Sequence, residues 1–237
     1  LVIRGNGLTH VGRVRENNED AILTDPGGLL WAVVDGMGGY GNGEIAADMV
    51  IDRIATLSDH APAEAGLRQL IAEANEQILT RSAQEGIDQM GATMVAAMIQ
   101  NAVATIAWVG DCRAYLWRDS ALRQLTSDHS VVQELIDSGL LDPDQRETHP
   151  QRHVVTRAVG VEPAIEIDTT RFEMVRKDRL MLCSDGLTTC VPDRQIAAIM
   201  ARPADPRSLC RALAMQALEN GAPDNVSVVA IFAQEAY

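Results

Sequence analysis

The sequence predicts an α+β fold, a four-layer αββα sandwich with two antiparallel β-sheets flanked by helix pairs. Three observations carry this. Strand-like and helix-like runs come in blocks: strands, two helices, strands, two helices, strand. The middle strands are joined by turns too short for a crossover, so they pair antiparallel. Each helix carries one apolar stripe, and two packed sheets with helices outside bury every stripe.

The elements follow in order. Apolar runs at Leu8–Val11, Ala21–Thr24 and Leu30–Val34 predict strands. From Glu44 to Leu57, Ile45, Met49, Ile51 and Ile54 recur at helical spacing. Pro62 to Gln84 predicts a second helix on Leu67, Leu70, Ile71, Ala74 and Ile78, paired antiparallel with the first. "ATMVAAMIQ" (92–100), "VATIAWVG" (103–110) and "CRAYLWRD" (112–119) form a meander. "SVVQELIDSG" (130–139) reads as a helix that Gly139 ends, and 140–153 as an exposed, polar segment. "RLMLCSD" (179–185) is a strand, 192–201 and 206–221 are helices, and "NVSVVAIFA" (225–233) is a closing strand. No linker or repeat interrupts the order, so residues 1–237 are expected to form one domain.

Composition narrows the function. Hydrophobic residues are 46% and charged residues 22% of the chain, ordinary for a globular protein. Asp and Glu outnumber Lys and Arg by 33 to 20, for a formal charge of −13. That surface repels phosphate backbones, which argues against a nucleic-acid partner. It also allows some acids to hold cations that the formal count omits. No apolar run reaches the roughly 20 residues of a membrane helix, and no leader directs export, so a cytoplasmic place is expected. Cys112, Cys183, Cys190 and Cys210 form no CxxC pair, which disfavours structural zinc and predicts reduced thiols.

The informative stretch is "AVVDGMGGYGNG" (32–43), where a buried run ends in Asp35 and five of the next eight residues are glycine. Asp111 in "WVGDCR", Asp185 in "LMLCSDGL", Asp224 in "GAPDNVSVV", and Glu19 and Asp20 in "RENNED" also sit at strand ends. Taken singly, an Asp-Gly or Asp-Asn pair is a turn or a cap. Taken together, these acids point to a common site. Clustered carboxylates repel unless cations lie among them, and an all-oxygen set favours magnesium or manganese over zinc. Asp35 has two oxygens with which to bridge two cations, and Gly36 leaves its own carbonyl free to approach one. Arg15 lies four residues before Glu19, where its planar fork suits a phosphate. Its bland alternative is a surface pair with Glu16 or Glu19.

These residues resemble the metal-dependent protein phosphatases of the protein phosphatase 2C family. The motifs run in order along nearly the whole chain: "RENNED", "VVDGMGG", "MGATMV", "WVGDCRAYLW", "LTSDHS", "LMLCSDGL" and "PDNVSVV". The compact length is similar to that of bacterial members that oppose Ser/Thr kinases. The resemblance implies hydrolysis of phosphoserine and phosphothreonine in proteins by a metal-bound hydroxide at a binuclear Mn²⁺ or Mg²⁺ centre. It implies that Asp35 bridges both metals and that Asp185 and Asp224 hold the first. Glu19 and the Gly36 carbonyl belong to the second, Asp20 orients water, and Arg15 binds the phosphate. Asp111, with Asp185, matches a third, weaker site, and residues 126–153 match a mobile flap.

Three positions depart from the family pattern. Cys112 stands where serine is usual, Tyr40 where bacterial members commonly have histidine, and Ala92 where a hydroxyl residue is usual. None is a metal ligand. Tyr40 is expected to touch the substrate, and Cys112, one residue past Asp111, to point away from the site into the sheet packing. His129 in "SDHS" is read as structural and bonded to Asp128, with leaving-group protonation as its alternative. His10, His60, His149 and His153 are read as surface or packing residues. Expected partners are phosphoproteins and a cognate Ser/Thr kinase or its substrates, with no nucleic acid, no membrane and a monomeric state. The rival readings are a hydrolase of small phosphoesters and a phosphoprotein-binding module without turnover.

Overall fold

The computed structural model describes residues 1–202 and 205–235. Its strands are β1 (Val2–His10), β2 (Asp20–Thr24), β3 (Leu30–Met37), β4 (Gly91–Gln100), β5 (Val103–Val109), β6 (Arg113–Arg118), β7 (Ala121–Gln124), β8 (Asp168–Glu173), β9 (Arg179–Cys183) and β10 (Val226–Gln234). Its helices are α1 (Asn42–Ile54), α2 (Ala63–Glu85), α3 (Val131–Asp137), α4 (Asp185–Thr188), α5 (Asp193–Met200) and α6 (Pro206–Glu219). Two antiparallel five-stranded sheets result, ordered β1-β10-β9-β6-β7 and β2-β3-β4-β5-β8. Among the described residues, no helix is long and apolar enough to cross a membrane.

Strand alternation divides the buried residues into three layers. On β3, Trp31 and Val33 face the other sheet, while Ala32 and Val34 face α1 and α2. On β10, Val229 and Ile231 face inward, while Val228 and Ala230 meet Leu209 and Leu213 of α6. The central strands are therefore buried on both faces, which is why they read as continuous apolar runs.

The predicted sandwich is the observed fold, and four local expectations change. The three-stranded meander is broken: β4 pairs with β5, but β6 crosses to the other sheet, where it lies between β9 and β7, because the turn after Val109 carries the chain from one sheet to the facing one. The first strand begins at Val2, well before Leu8. Gly5 hides it from a hydrophobic pattern because the Trp31 ring fills the space where a Cβ would stand, 2.4 Å away at its closest. The edge strands β7 and β8 were not foreseen. Each pairs on one side only, and "ALRQ" and "DTTRFE" lack the apolar runs of central strands. The run 179–185 stops as a strand at Cys183, and Asp185 opens the short helix α4. Segment 140–153 is exposed as expected, with a 3₁₀ turn at Pro143–Thr148 that contains no buried residue.

Candidate active site

The register of one sheet builds the floor of the site. Asp20 pairs with Asp35 across β2–β3, and Asp35 pairs with Thr93 across β3–β4. These three therefore form a row at the end of the sheet. Asp35 has the same strand parity as Trp31 and Val33, so it points into the space between the sheets. The facing sheet meets the row through Ser184, whose hydroxyl donates to Asp20 Oδ2 at 2.8 Å. Ser184 Oγ in turn accepts the Ser227 N–H at 3.0 Å.

Arg15, Glu19, Asp35, Gly36, Tyr40, Asp111, Asp185 and Asp224 all line one cleft of about 1290 Å³. Asp20 lies just behind it, buried. All nine residues singled out from the sequence thus meet in one place. Arg15 pairs with neither Glu16 nor Glu19: its Nη2 donates to Asp224 Oδ2 at 2.7 Å. Gly36 is required for space. A Cβ there would stand 2.0 Å from the Gly43 carbonyl oxygen and 2.7 Å from that of Glu19.

The acids burden one another. Burial, then the charges of Asp20, Asp185, Asp111 and Asp224, push Asp35 well above the usual carboxylate range. Burial raises Asp185 to about 6, reinforced by Asp224 and Asp20 and opposed by a hydrogen bond with Asp35. Burial raises Asp20 to about 6 against the pull of its serine hydrogen bonds, and Asp111 to about 7 with help from Asp185. Glu19 also shifts up, chiefly through burial, although Arg15 pulls it down.

Divalent ions fit this donor set. The donors are hard oxygens, and their mutual repulsion is the kind that added positive charge relieves. Asp20 Oδ1 is buried without a hydrogen-bond partner. Among the described residues, no three His, Cys, Asp or Glu side chains already form a closed ligand cage. A site that keeps waters among its ligands does not need one, and magnesium in particular retains several.

Some participants were missed in the sequence. Asn225 Oδ1 accepts the Glu19 N–H at 2.8 Å, and its Nδ2 donates to the carbonyls of Val11 and Asn17 at 2.8 and 2.9 Å. It thereby braces the loop that carries Arg15 and Glu19. The adjacent "DN" pair was the available signal. His153, assigned to surface or packing, lines the cleft wall with Arg152 and Val155. His129 is buried but bonds Asp168, not Asp128: Nδ1 accepts the Gly110 N–H at 3.0 Å, and Nε2 lies 3.2 Å from Asp168 Oδ2. With both ring nitrogens engaged and burial lowering its pKa, His129 is held neutral as a structural link. Tyr40 is exposed and does not pack on the glycine turn. Cys112 is buried between the sheets as expected, but it lies in the turn between β5 and β6 and does not point away from the site: its Sγ is 3.3 Å from Oγ1 of Thr93, which lines the cleft.

Residues 7–219 match the family profile of protein phosphatase 2C. The chain belongs to that family. A serine/threonine phosphatase, stp, of Listeria welshimeri is 34% identical over 234 residues, spanning 94% of this chain and 93% of the relative. The crystal structure of the Mycobacterium tuberculosis serine/threonine phosphatase PstP/Ppp is similar at a TM-score of 0.94 and 34% identity, covering 99% of this chain and all (100%) of that one. The catalytic domain of PstP in complex with two manganese ions is similar at a TM-score of 0.89 and 32% identity, covering 98% of this chain and 99% of that one. The chain is thus a protein phosphatase of this family.

Proposed function

We propose that this phosphatase hydrolyses phosphoserine and phosphothreonine in proteins with two Mn²⁺ or Mg²⁺ ions. The observation that carries the reading is the cluster of mutually repelling carboxylates, with Asp35, Asp111 and Asp185 lining one open cleft beside Arg15 and Asp20 buried behind them. Bound divalent ions supply an activated water and charge for the phosphoryl oxygens. Asp35, lying among the other acids, would hold both ions. Asp185 and Asp224 would hold one ion, Glu19 and the Gly36 carbonyl the other, and Asp111 with Asp185 a weaker third. Asp20, fixed by Ser184, would orient water. Arg15, tethered to Asp224, presents its guanidinium at the mouth, where a phosphate monoester arrives. Tyr40 is our candidate for contact with the peptide around it.

The cleft favours a protein substrate over a small ester. It is wide, and Tyr40 and Val14 stand exposed beside it. The common core of the two sheets supports one domain over 1–237, with 126–153 as a flap beside the site. The phosphatase reading implies phosphoprotein partners, including a cognate kinase or its substrates, and the acidic surface argues against nucleic acid and anionic membrane. Four free cysteines fit a reducing, cytoplasmic setting. A monomer is the working state.

The test is turnover of p-nitrophenyl phosphate and of a phosphothreonine peptide, with Mn²⁺ and with EDTA. Activity on both that vanishes in EDTA is expected. A chain that binds the phosphopeptide but turns over neither substrate would be an adaptor. Activity on the small ester alone would favour the small-molecule reading.

A further inference from the structure

Two consecutive residues grip both flanks of Asp111. His129 exchanges two bonds with Gly110: its N–H donates to the Gly110 carbonyl at 2.9 Å, and Gly110 N–H donates to His129 Nδ1 at 3.0 Å. Asp128 accepts from Arg113 through Nε at 2.8 Å and Nη2 at 2.6 Å. Asp111 and Cys112 lie between these two anchors.

The same two residues also hold the neighbouring segment. Arg146 Nη1 reaches Asp128 Oδ2 at 3.4 Å, and Arg146 Nη2 donates to Gln133. Thr156 N–H donates to the His129 carbonyl at 2.8 Å, and Ser130 forms a β-bridge with Val155. The clasp is itself rigid. The His129 ring stacks on Trp108 with centroids 6.2 Å apart, Trp108 Nε1 donates to the Ser127 carbonyl at 2.9 Å, and His129 Nε2 bonds Asp168. The Arg113 grip extends through Tyr115, whose hydroxyl donates to Asp193 at 2.9 Å. A small cavity of about 40 Å³, lined by Asp111, Arg113, Asp128, Arg146 and Asp185, lies where the segment meets the site.

We propose that Asp128 and His129 are positioning residues that couple the 130–155 segment to the place of Asp111, so that moving the segment moves this acid. The inference rests on reading Asp111 as a site acid. It requires no proton transfer by His129, whose two nitrogens are both occupied.

The test is amide hydrogen exchange on the metal-free protein, a readout independent of turnover. Arg146→Ala removes a half-buried contact of the segment with Asp128 and Gln133, and Arg146 forms no hydrogen bond with Gly110 or His129. The coupling predicts about 3- to 10-fold faster exchange at residues 110–113 as well as at 144–156, with the β3–β4 amides unchanged. His129→Ala should loosen both regions further. His129→Asn keeps an acceptor near Nδ1 and loses the reach to Asp168, so it should restore slow exchange at 110–113. In the active protein, Arg146→Ala should raise the Mn²⁺ concentration for half-maximal activity several-fold and leave kcat at saturating Mn²⁺ nearly intact. Faster exchange confined to 144–156 in Arg146→Ala would overturn the coupling. So would uniform acceleration in every variant, which marks general destabilisation. If exchange is coupled but no activity exists, the clasp stands and the functional reading falls.

Discussion

Asp20 and Asp35 stand directly opposite each other across the β2–β3 ladder, with only Asp20 tied to the facing sheet by a serine hydroxyl. Like charges opposed on neighbouring strands destabilise a sheet. The fold accepts that cost where function needs the acids.

The first prediction follows from this pair. Asp35→Asn keeps the shape and removes the charge that four neighbouring acids oppose. In EDTA at pH 8, the variant should be more stable than the parent by about 1–2 kcal/mol, or roughly 3–6 °C in a chain of this size. Turnover with Mn²⁺ should fall by more than about 100-fold. Thermal melts and steady-state rates check both halves. Near-normal Mn²⁺-dependent activity would remove Asp35 from the bridging role.

The second concerns pH. Asp20 and Asp185 are pushed up to about 6 and Asp111 to about 7, while unfolded aspartate titrates near 3.9. Between about pH 4 and 7 the folded, metal-free chain therefore binds more protons than the unfolded chain. The stability these acids contribute is complete below pH 4 and is lost as pH rises through 6 to 7. His129 acts oppositely. Its lowered pKa makes its contribution grow as pH rises through about 6.5, but it is one group against three. In EDTA, the melting temperature should fall from pH 5.5 to 8. Mn²⁺ competes with protons for the same oxygens, so the gap it opens should widen over that range. A gap independent of pH would contradict the assignment of these acids as ligands.

Arg15 supplies the third. It is more than half exposed and held by one carboxylate, Asp224. Arg15→Ala should raise KM for a phosphopeptide about tenfold, with little change in melting temperature. Arg15→Lys should recover only part of the loss, because an ammonium lacks the planar fork. An unchanged KM would leave Arg15 as a surface ion pair.

Cys112 gives the fourth. It adjoins Asp111 but is buried, and burial together with nearby Asp35 and Asp111 drives its thiol well above the ordinary range. A thiol that stays protonated reacts poorly with peroxide. Cys112→Ser retains a partner for Thr93 and should alter neither activity nor peroxide sensitivity. Protection of the variant against peroxide would reveal a redox switch.

Much of this was legible in the sequence. Central strands buried on both faces announce themselves as apolar runs, and an acid that ends such a run is conspicuous. What escaped lay in pairings that no local pattern encodes. Edge strands β7 and β8 carry polar residues because one side and one face are free. Arg15 and Asp224 are 209 residues apart, so their bond appears only after folding. The bonds of His129 to Gly110 and Asp168 are likewise long-range, and the spacing of "SDHS" suggested the wrong neighbour.

Tyr40 supplies the last prediction. It follows Gly38 and Gly39 in the turn after Asp35, with φ at 59°, in the left-handed region that a bulky residue rarely adopts. Its ring is exposed at the edge of the cleft, supported by no packing. The backbone thus holds an aromatic side chain in an unfavourable conformation where a bound peptide would pass. A ring so placed can stack on or hydrogen-bond to a substrate. Tyr40→Ala should lower kcat/KM for a phosphopeptide about 3- to 10-fold and spare p-nitrophenyl phosphate, which is too small to reach the rim. Tyr40→His should be tolerated. Tyr40→Gly separates ring from backbone: it relieves the positive φ, so stability should hold or rise while peptide turnover falls as in the alanine variant. Equal losses on both substrates would point to a disturbed Asp35–Gly39 backbone. No loss on either would show that the ring touches no substrate.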